Sequence, residues 1–403
     1  MSPVCHGRAW RSCVKLSQGG AGRLTEAKMR NAVLFFGWLA PVPSGKTAPT
    51  VRRIPGVPTA QGSLRRTAAA LFVLLLSGLA TLPAFAARPE HIPARFDRAW
   101  QVQERFQRML LARSGVVGVA LGENAAGQPV LQLFLERAGV TGLPDYVDGE
   151  AIQTLVTGHF RAGQLEPQAG ESPAGRWPRP VPIGVSIGHQ DVTAGTLGCQ
   201  VFQGSGCHVT NYYILSNNHV LANSNAGQFG DLILQPGKVD GGLYPGDVIG
   251  QLHDFQPVTI STTANNVMDA AIAYTTPSDV GFATPADGYG APVAATVSPV
   301  MNLKVRKYGR TTRMTTGRIT AINATVMVDY PAGTAQFVQQ FVVSGDYSQP
   351  FSGAGDSGSL VVVNGGADDR KAVGLLFAGS GNLTAVNPIG PILARFNVQI
   401  AGD

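Results

Sequence analysis

Three residues of this chain have the types and settings needed to transfer an acyl group. Ser357 lies in the run Gly353, Ala354, Gly355, Asp356, Ser357, Gly358, Ser359, directly ahead of the β-prone Leu360–Val363. A serine flanked by glycines before a strand sits on a tight turn with its hydroxyl accessible, and the absent side chains let a substrate carbonyl approach the backbone. The Gly355 and Ser357 amides are then the candidate oxyanion hole. Serine alone is a weak nucleophile and needs a base within hydrogen-bond reach. His219 can supply it, because the β-rich Ile214, Leu215, Ser216, Asn217, Asn218 delivers that imidazole to a strand end. Asp269 opens the apolar segment Ala270, Ala271, Ile272, Ala273. A carboxylate there is costly unless hydrogen-bonded. Holding the second imidazole nitrogen would satisfy it and fix the tautomer. His159, His189, His208 and His253 have no comparable setting.

In this order and context the three segments resemble the chymotrypsin/trypsin-like serine peptidases, in a divergent bacterial form. Two further stretches agree: Lys307, Tyr308, Gly309, Arg310, Thr311, Thr312, similar to a Gly-x-Thr-Thr stretch of bacterial members, and Gly374, Leu375, Leu376, Phe377, Ala378, Gly379, similar to the strand lining their substrate pocket. The resemblance covers roughly residues 183 to 400. It implies an all-β protease domain of two antiparallel six-stranded β-barrels with the site between them, and a serine endopeptidase acting on protein or peptide without a cofactor or metal. It also implies a pocket walled by Phe377, Ala378 and Gly379, with Phe351 at its floor. No Ile-Val amino terminus stands near residue 183 to pair with Asp356, so Lys307 is the expected cation, with Arg306 behind it. Asn217 and Asn218 depart from the small apolar residues that many relatives carry before the histidine. Two other readings stay open: a protease fold serving as a binding or scaffold module, and an esterase built on the same machinery.

The elements that must position these residues are short strands. From Ile183 onward, runs such as 212–215, 270–274, 338–343, 360–363 and 372–377 alternate with Gly-rich and Asn-rich turns, with a helix only at 391–396. That pattern predicts antiparallel β structure. Before it, residues 87–162 read as a small α+β domain, with an amphipathic helix over 96–111 and strands at 116–121, 129–135 and 151–157. Residues 163–182 carry Pro167, Pro173, Pro178, Pro180 and Pro182 and read as an extended linker.

Residues 63–86 have the three parts of a secretory signal: Arg65 and Arg66, an uncharged apolar run from Ala68 to Leu82, and Ala84, Phe85, Ala86 as the cleavage pattern. The run is short for a hydrocarbon core of about 30 Å, so no stable membrane anchor is expected after cleavage. Residues 1–62 read as a non-structural leader or an over-extended start. Positions 1–86 hold 11 of the 31 Lys and Arg but one of the 25 acidic residues, leaving −4 on the remainder. The basic balance is therefore a property of the leader, and nucleic acid is excluded as an expected partner. The expected location is periplasmic or secreted. In such a compartment Cys199 and Cys207, with turn formers between them, are expected to form a disulfide. A metal site is weaker, since His208 alone stands near them.

Overall fold

The computed structural model describes residues 88–163, 173–192, 194–205 and 208–403. The leader, the signal segment and most of the Pro-rich linker lie outside the described residues. The helix Asp97–Leu111 (α1) buries Ala99, Trp100, Val102, Gln103 and Leu110 on one face. Asp97 in its first turn and Arg108 in its last complement the helix dipole.

After α1 come Val116–Glu123 (β1), Pro129–Leu135 (β2), Tyr146–Val147 (β3), Glu150–Val156 (β4) and Phe160–Arg161 (β5). A second run comprises Ser186–His189 (β6), Gly195–Thr196 (β7), Cys199–Ser205 (β8), His208–Ser216 (β9), the short helix Asn218–Leu221 (α2), Leu232–Leu234 (β10), Val248–Phe255 (β11) and Ala271–Thr275 (β12). The last run comprises Val293–Thr296 (β13), Lys304–Gly309 (β14), Arg313–Tyr330 (β15), Gly333–Gly345 (β16), Leu360–Val363 (β17), Lys371–Ser380 (β18), Leu383–Pro388 (β19), the helix Ile389–Phe396 (α3) and Gln399–Ile400 (β20). The described chain is thus predominantly β, with few helices.

These strands form two sheets. Eight strands run in the order β20-β8-β9-β12-β11-β10-β6-β7. In the twelve-stranded sheet, β14-β17-β18-β19-β16-β15 is closed into a ring by pairing of β14 with β15. β1 hydrogen-bonds antiparallel to β15, with Gly118 opposite Val326, and β2 and β4 follow outward from it. No break in the sheet therefore separates residues 116–156 from the later strands.

Packing repeats this continuity. Ile92, Phe96, Trp100, Val119 and Leu131 share one buried cluster with Val305, Ile319, Ile322, Phe341 and Val361. Gln103 on α1 donates to the Asn323 carbonyl at 2.8 Å, and the Asn323 side chain donates back at 3.1 Å. Full burial of a side chain such as Phe96 or Leu131 contributes about 1.5–3 kcal/mol. This makes the N-terminal segment part of the hydrophobic core.

Cys199 is a free buried thiol, and its pKa is pushed up to about 12 by burial. The expected disulfide is corrected: Cys199 lies in β8 opposite Leu215, as a free thiol within the buried cluster that holds Val201 and Ile214. Cys207 itself lies outside the described residues. No described helix is long and apolar enough to cross a membrane.

Candidate active site

His219 stands on α2, immediately after β9, and Asp269 stands two residues before β12. The pairing of β12 with β9, Ala271 opposite Ser216, brings the two positions together across the sheet. The His219 Nδ1 to Asp269 Oδ2 distance is 2.6 Å, and the His219 amide donates to Asp269 Oδ1 at 3.2 Å. Asp269 is fully buried and His219 is 6% exposed. The two asparagines before the histidine are buried tethers. Asn217 donates to the Asp269 carbonyl at 2.7 Å, and Asn218 donates to the Gln256 carbonyl at 2.6 Å. Their amides suit this place because they satisfy backbone carbonyls that small apolar residues would leave to other donors.

Two partners of Asp269 had no signal in local sequence. Tyr330, at the end of β15, donates its hydroxyl to Asp269 Oδ2 at 2.7 Å. Asn387 on β19 accepts the Asp269 amide at 3.2 Å and donates to its carbonyl at 3.3 Å. Burial acts to raise the Asp269 carboxyl, but the adjacent His219 charge and the hydrogen bonds from His219 and Tyr330 outweigh it and hold the group below its ordinary value. Burial, reinforced by the Asp269 charge, pushes the Tyr330 phenol well up, so it remains a donor.

Ser357 lies on the turn before β17, with its carbonyl accepting from the Thr196 amide at 2.8 Å. Its Oγ donates to the Phe377 carbonyl at 3.4 Å. The buried His219 Nε2 has no hydrogen-bond partner among the described residues. Gly355 has φ +99°, a conformation that favours glycine. Among the described residues neither the Gly355 nor the Ser357 amide donates to a protein acceptor. Both donors are thus available to an incoming oxygen. A Cβ at Gly358 would stand 2.1 Å from Ser216 Oγ, so only glycine lets the serine turn close against β9.

Behind Ser357, Asp356 is a fully buried anchor. Lys307 Nζ lies 3.1 Å from Asp356 Oδ2, and both side chains are inaccessible. The amides of Gly353, Thr311 and Thr312 donate to the same carboxylate at 2.9, 2.8 and 3.1 Å, and Thr312 Oγ1 donates at 2.6 Å. Burial acts to raise Asp356, but the Lys307 charge and these donors hold it below its ordinary value. Lys307 is lowered by burial against the pull of Asp356. Arg306, the alternative cation, instead pairs with Asp369 at 2.9 Å.

A cavity of about 250 Å³ opens beside Ser357, lined by Ser352, Gly353, Gly355, Leu376, Gly379 and Ser380 among others. Gly379 is the one expected wall residue among them. Phe351 does not form the floor: it belongs to the buried cluster with Ile319, Phe341 and Val361. Phe377 and Ala378 likewise belong to a buried cluster with Phe337. Ser352, the next residue, lines the cavity in its place.

The chain is similar to bacterial chymotrypsin-like serine proteases. A family model described as the Nal1 C-terminal domain matches residues 279–387, which include Lys307, Tyr330 and Ser357 but neither His219 nor Asp269. No curated protein matches the chain in sequence. Among solved structures, Thermobifida fusca Protease A is similar at 18% identity and TM-score 0.39, over 55% of this chain and 98% of its own. Cellulomonas bogoriensis chymotrypsin gives 20% and 0.37 over 55% and 99%. Nocardiopsis protease gives 20% and 0.38 over 54% and 97%.

Proposed function

We propose that the protein is an exported serine endopeptidase with a His219, Asp269, Ser357 triad in a cleft between two antiparallel barrels. The observation that carries this reading is the buried His219–Asp269 pair at 2.6 Å, with His219 Nε2 left without a hydrogen-bond partner among the described residues. A buried imidazole held through Nδ1 keeps Nε2 as the reacting nitrogen. Ser357 adds to the scissile carbonyl carbon and its proton passes to His219. His219 returns that proton to the departing amine, and water then hydrolyses the acyl-enzyme by the reverse sequence. The Gly355 and Ser357 amides receive the oxyanion, and Asp269 stabilises the imidazolium. The signal-like segment over 63–86 supports export to the periplasm or medium.

A fluorophosphonate probe tests the chemistry, because stable labelling of Ser357 needs an activated nucleophile. Turnover of casein against a simple ester separates peptidase from esterase. The scaffold reading draws on one observation, the Ser357 Oγ directed to the Phe377 carbonyl. In that reading no probe labels Ser357.

A further inference from the structure

Thr311 carries a hydroxyl that the Asp356 anchor does not use. Its Oγ1 donates to the Ala354 carbonyl at 2.6 Å. Thr196, fully buried on β7, donates its Oγ1 to the Gly355 carbonyl at 2.8 Å, and Ser359 Oγ donates to the Asp356 carbonyl at 2.6 Å. Three successive carbonyls ahead of Ser357 therefore each end on a hydroxyl. The next carbonyl, that of Ser357 itself, accepts the Thr196 amide at 2.8 Å.

A trans peptide unit is planar, so its N–H points away from its C=O. Holding the Ala354 carbonyl outward thus aims the Gly355 amide, and holding the Asp356 carbonyl aims that of Ser357. These are the two amides that reach no protein acceptor among the described residues. Thr196 fixes the peptide unit between them. The turn needs such help because Gly353 and Gly355 lack a Cβ and let its peptide units rotate at little steric cost. Their direction has to come from outside the turn.

The two threonines are themselves held by one residue. The Arg310 amide donates to Thr196 Oγ1 at 3.0 Å and its Nη1 donates to Thr311 Oγ1 at 3.2 Å. Each hydroxyl accepts from Arg310 and so turns its own proton to the carbonyl. Arg310 in turn pairs with Asp240, Nε to Oδ2 at 2.9 Å, with both side chains inaccessible. A Cβ at Gly309 would stand 2.5 Å from Ser359 Oγ and from Asp356 Oδ1, so glycine there leaves room for the third hydroxyl. Gly309, Arg310 and Thr311 thereby act as one support for the serine turn.

Resting on the serine-protease reading above, we propose that Thr311 and Thr196 are positioning residues, which hold the Gly355 and Ser357 amides toward the oxyanion before substrate arrives. Neither touches the reacting atoms. Removing a preorganised oxyanion donor outright costs about 10²–10³ in rate. Releasing the carbonyl that aims such a donor should cost a part of that.

The test uses the full chain and compares wild type with Thr311→Val, Thr196→Val, Thr311→Ser and Thr196→Ser. Valine keeps the shape and the backbone amide, whereas serine keeps the hydroxyl. Three quantities are read: the maximal rate and half-saturating concentration of Ser357 labelling by a fluorophosphonate, the infrared carbonyl stretch of Ser357 acylated by a cinnamoyl group, and Tm. Both valine variants should lose at least about tenfold in maximal rate with half-saturation within about threefold of wild type. Their acyl carbonyl stretch should move to higher frequency as its hydrogen bonds weaken. Each serine variant should recover most of the rate and the wild-type frequency. Thr311 is only partly buried, so its variants carry the test even where the core rejects a change at Thr196. A lowered Tm with rate and frequency unchanged would make both hydroxyls merely structural and overturn the proposal, and so would equal losses in the valine and serine variants. Either result, with wild type labelled at Ser357, leaves the protease reading standing. Wild type that never labels at Ser357 overturns that reading, and the positioning role with it.

Discussion

Tyr330 and His219 donate to the same oxygen of Asp269, at 2.7 and 2.6 Å. They reach it from different sheets, so the buried carboxylate ties the eight-stranded sheet to the ring of six. Removing the phenol in Tyr330→Phe should cost about 1–3 kcal/mol, the penalty of leaving a buried charged group one partner short. The sign of its pH dependence is fixed. The folded Asp269 carboxyl is held below its ordinary value, so its contribution is present above the ordinary aspartate range and lost as pH falls through the lower folded value. With Tyr330→Phe the folded value rises, and acid unfolding should begin at higher pH. Urea melts at neutral pH and an acid titration followed by circular dichroism check both.

Lys307→Met should be among the most damaging single changes, since it strands Asp356 as a buried unpaired charge. Breaking such a pair costs about 3–5 kcal/mol. Lys307→Met combined with Asp356→Asn should recover part of that loss in a urea melt. Activity should not recover with it, because the carboxylate also receives the amides of Thr311, Thr312 and Gly353 that shape the serine turn.

A chain beginning at Arg179 should fail to refold. Deletion exposes the β15 edge that β1 covers, and it removes Phe96, Trp100, Leu131 and Leu133 from the core. Losing these four side chains at about 1.5–3 kcal/mol each is comparable with the whole stability of an ordinary domain, roughly 5–15 kcal/mol. Refolding yield against the chain from residue 87 checks this. Equal yields would show that the segment is dispensable.

Cleavage should not favour Lys or Arg before the cut. Among the described residues, no acidic side chain lines the cavity beside Ser357. An unpaired cation buried there costs several kcal/mol, on the order of a thousandfold in rate. A peptide series varied at that position alone should rank small uncharged residues first.

What could be read from sequence was what chemistry concentrates locally. Ser357 announced itself through glycines within two residues, and Asp269 through one charge in an apolar run. Lys307 followed from the resemblance and from a buried acid's need for a cation. Tyr330 gave no signal, because its role depends on where an 18-residue strand ends in space. Arg161 and Gly163, which line the cavity beside Ser357, were equally silent, since a two-residue strand ahead of a Pro-rich run has no periodicity to read. Phe351 shows the limit of counting along a loop. One residue of offset exchanged a core ring for the Ser352 that lines the cavity. Cys199 failed for a related reason: closeness in sequence does not set what a thiol faces, and this one is free and buried in β8 opposite Leu215.

If His219 activates Ser357, the rate of fluorophosphonate labelling, followed by intact mass and peptide mapping, depends on that imidazole. One adduct per chain on Ser357 is expected. The rate should fall on the order of a thousandfold or more in His219→Ala, and nearly as far in Asp269→Asn through the wrong tautomer. No adduct on the folded wild-type chain, or equal labelling with and without His219, would rule out that activation.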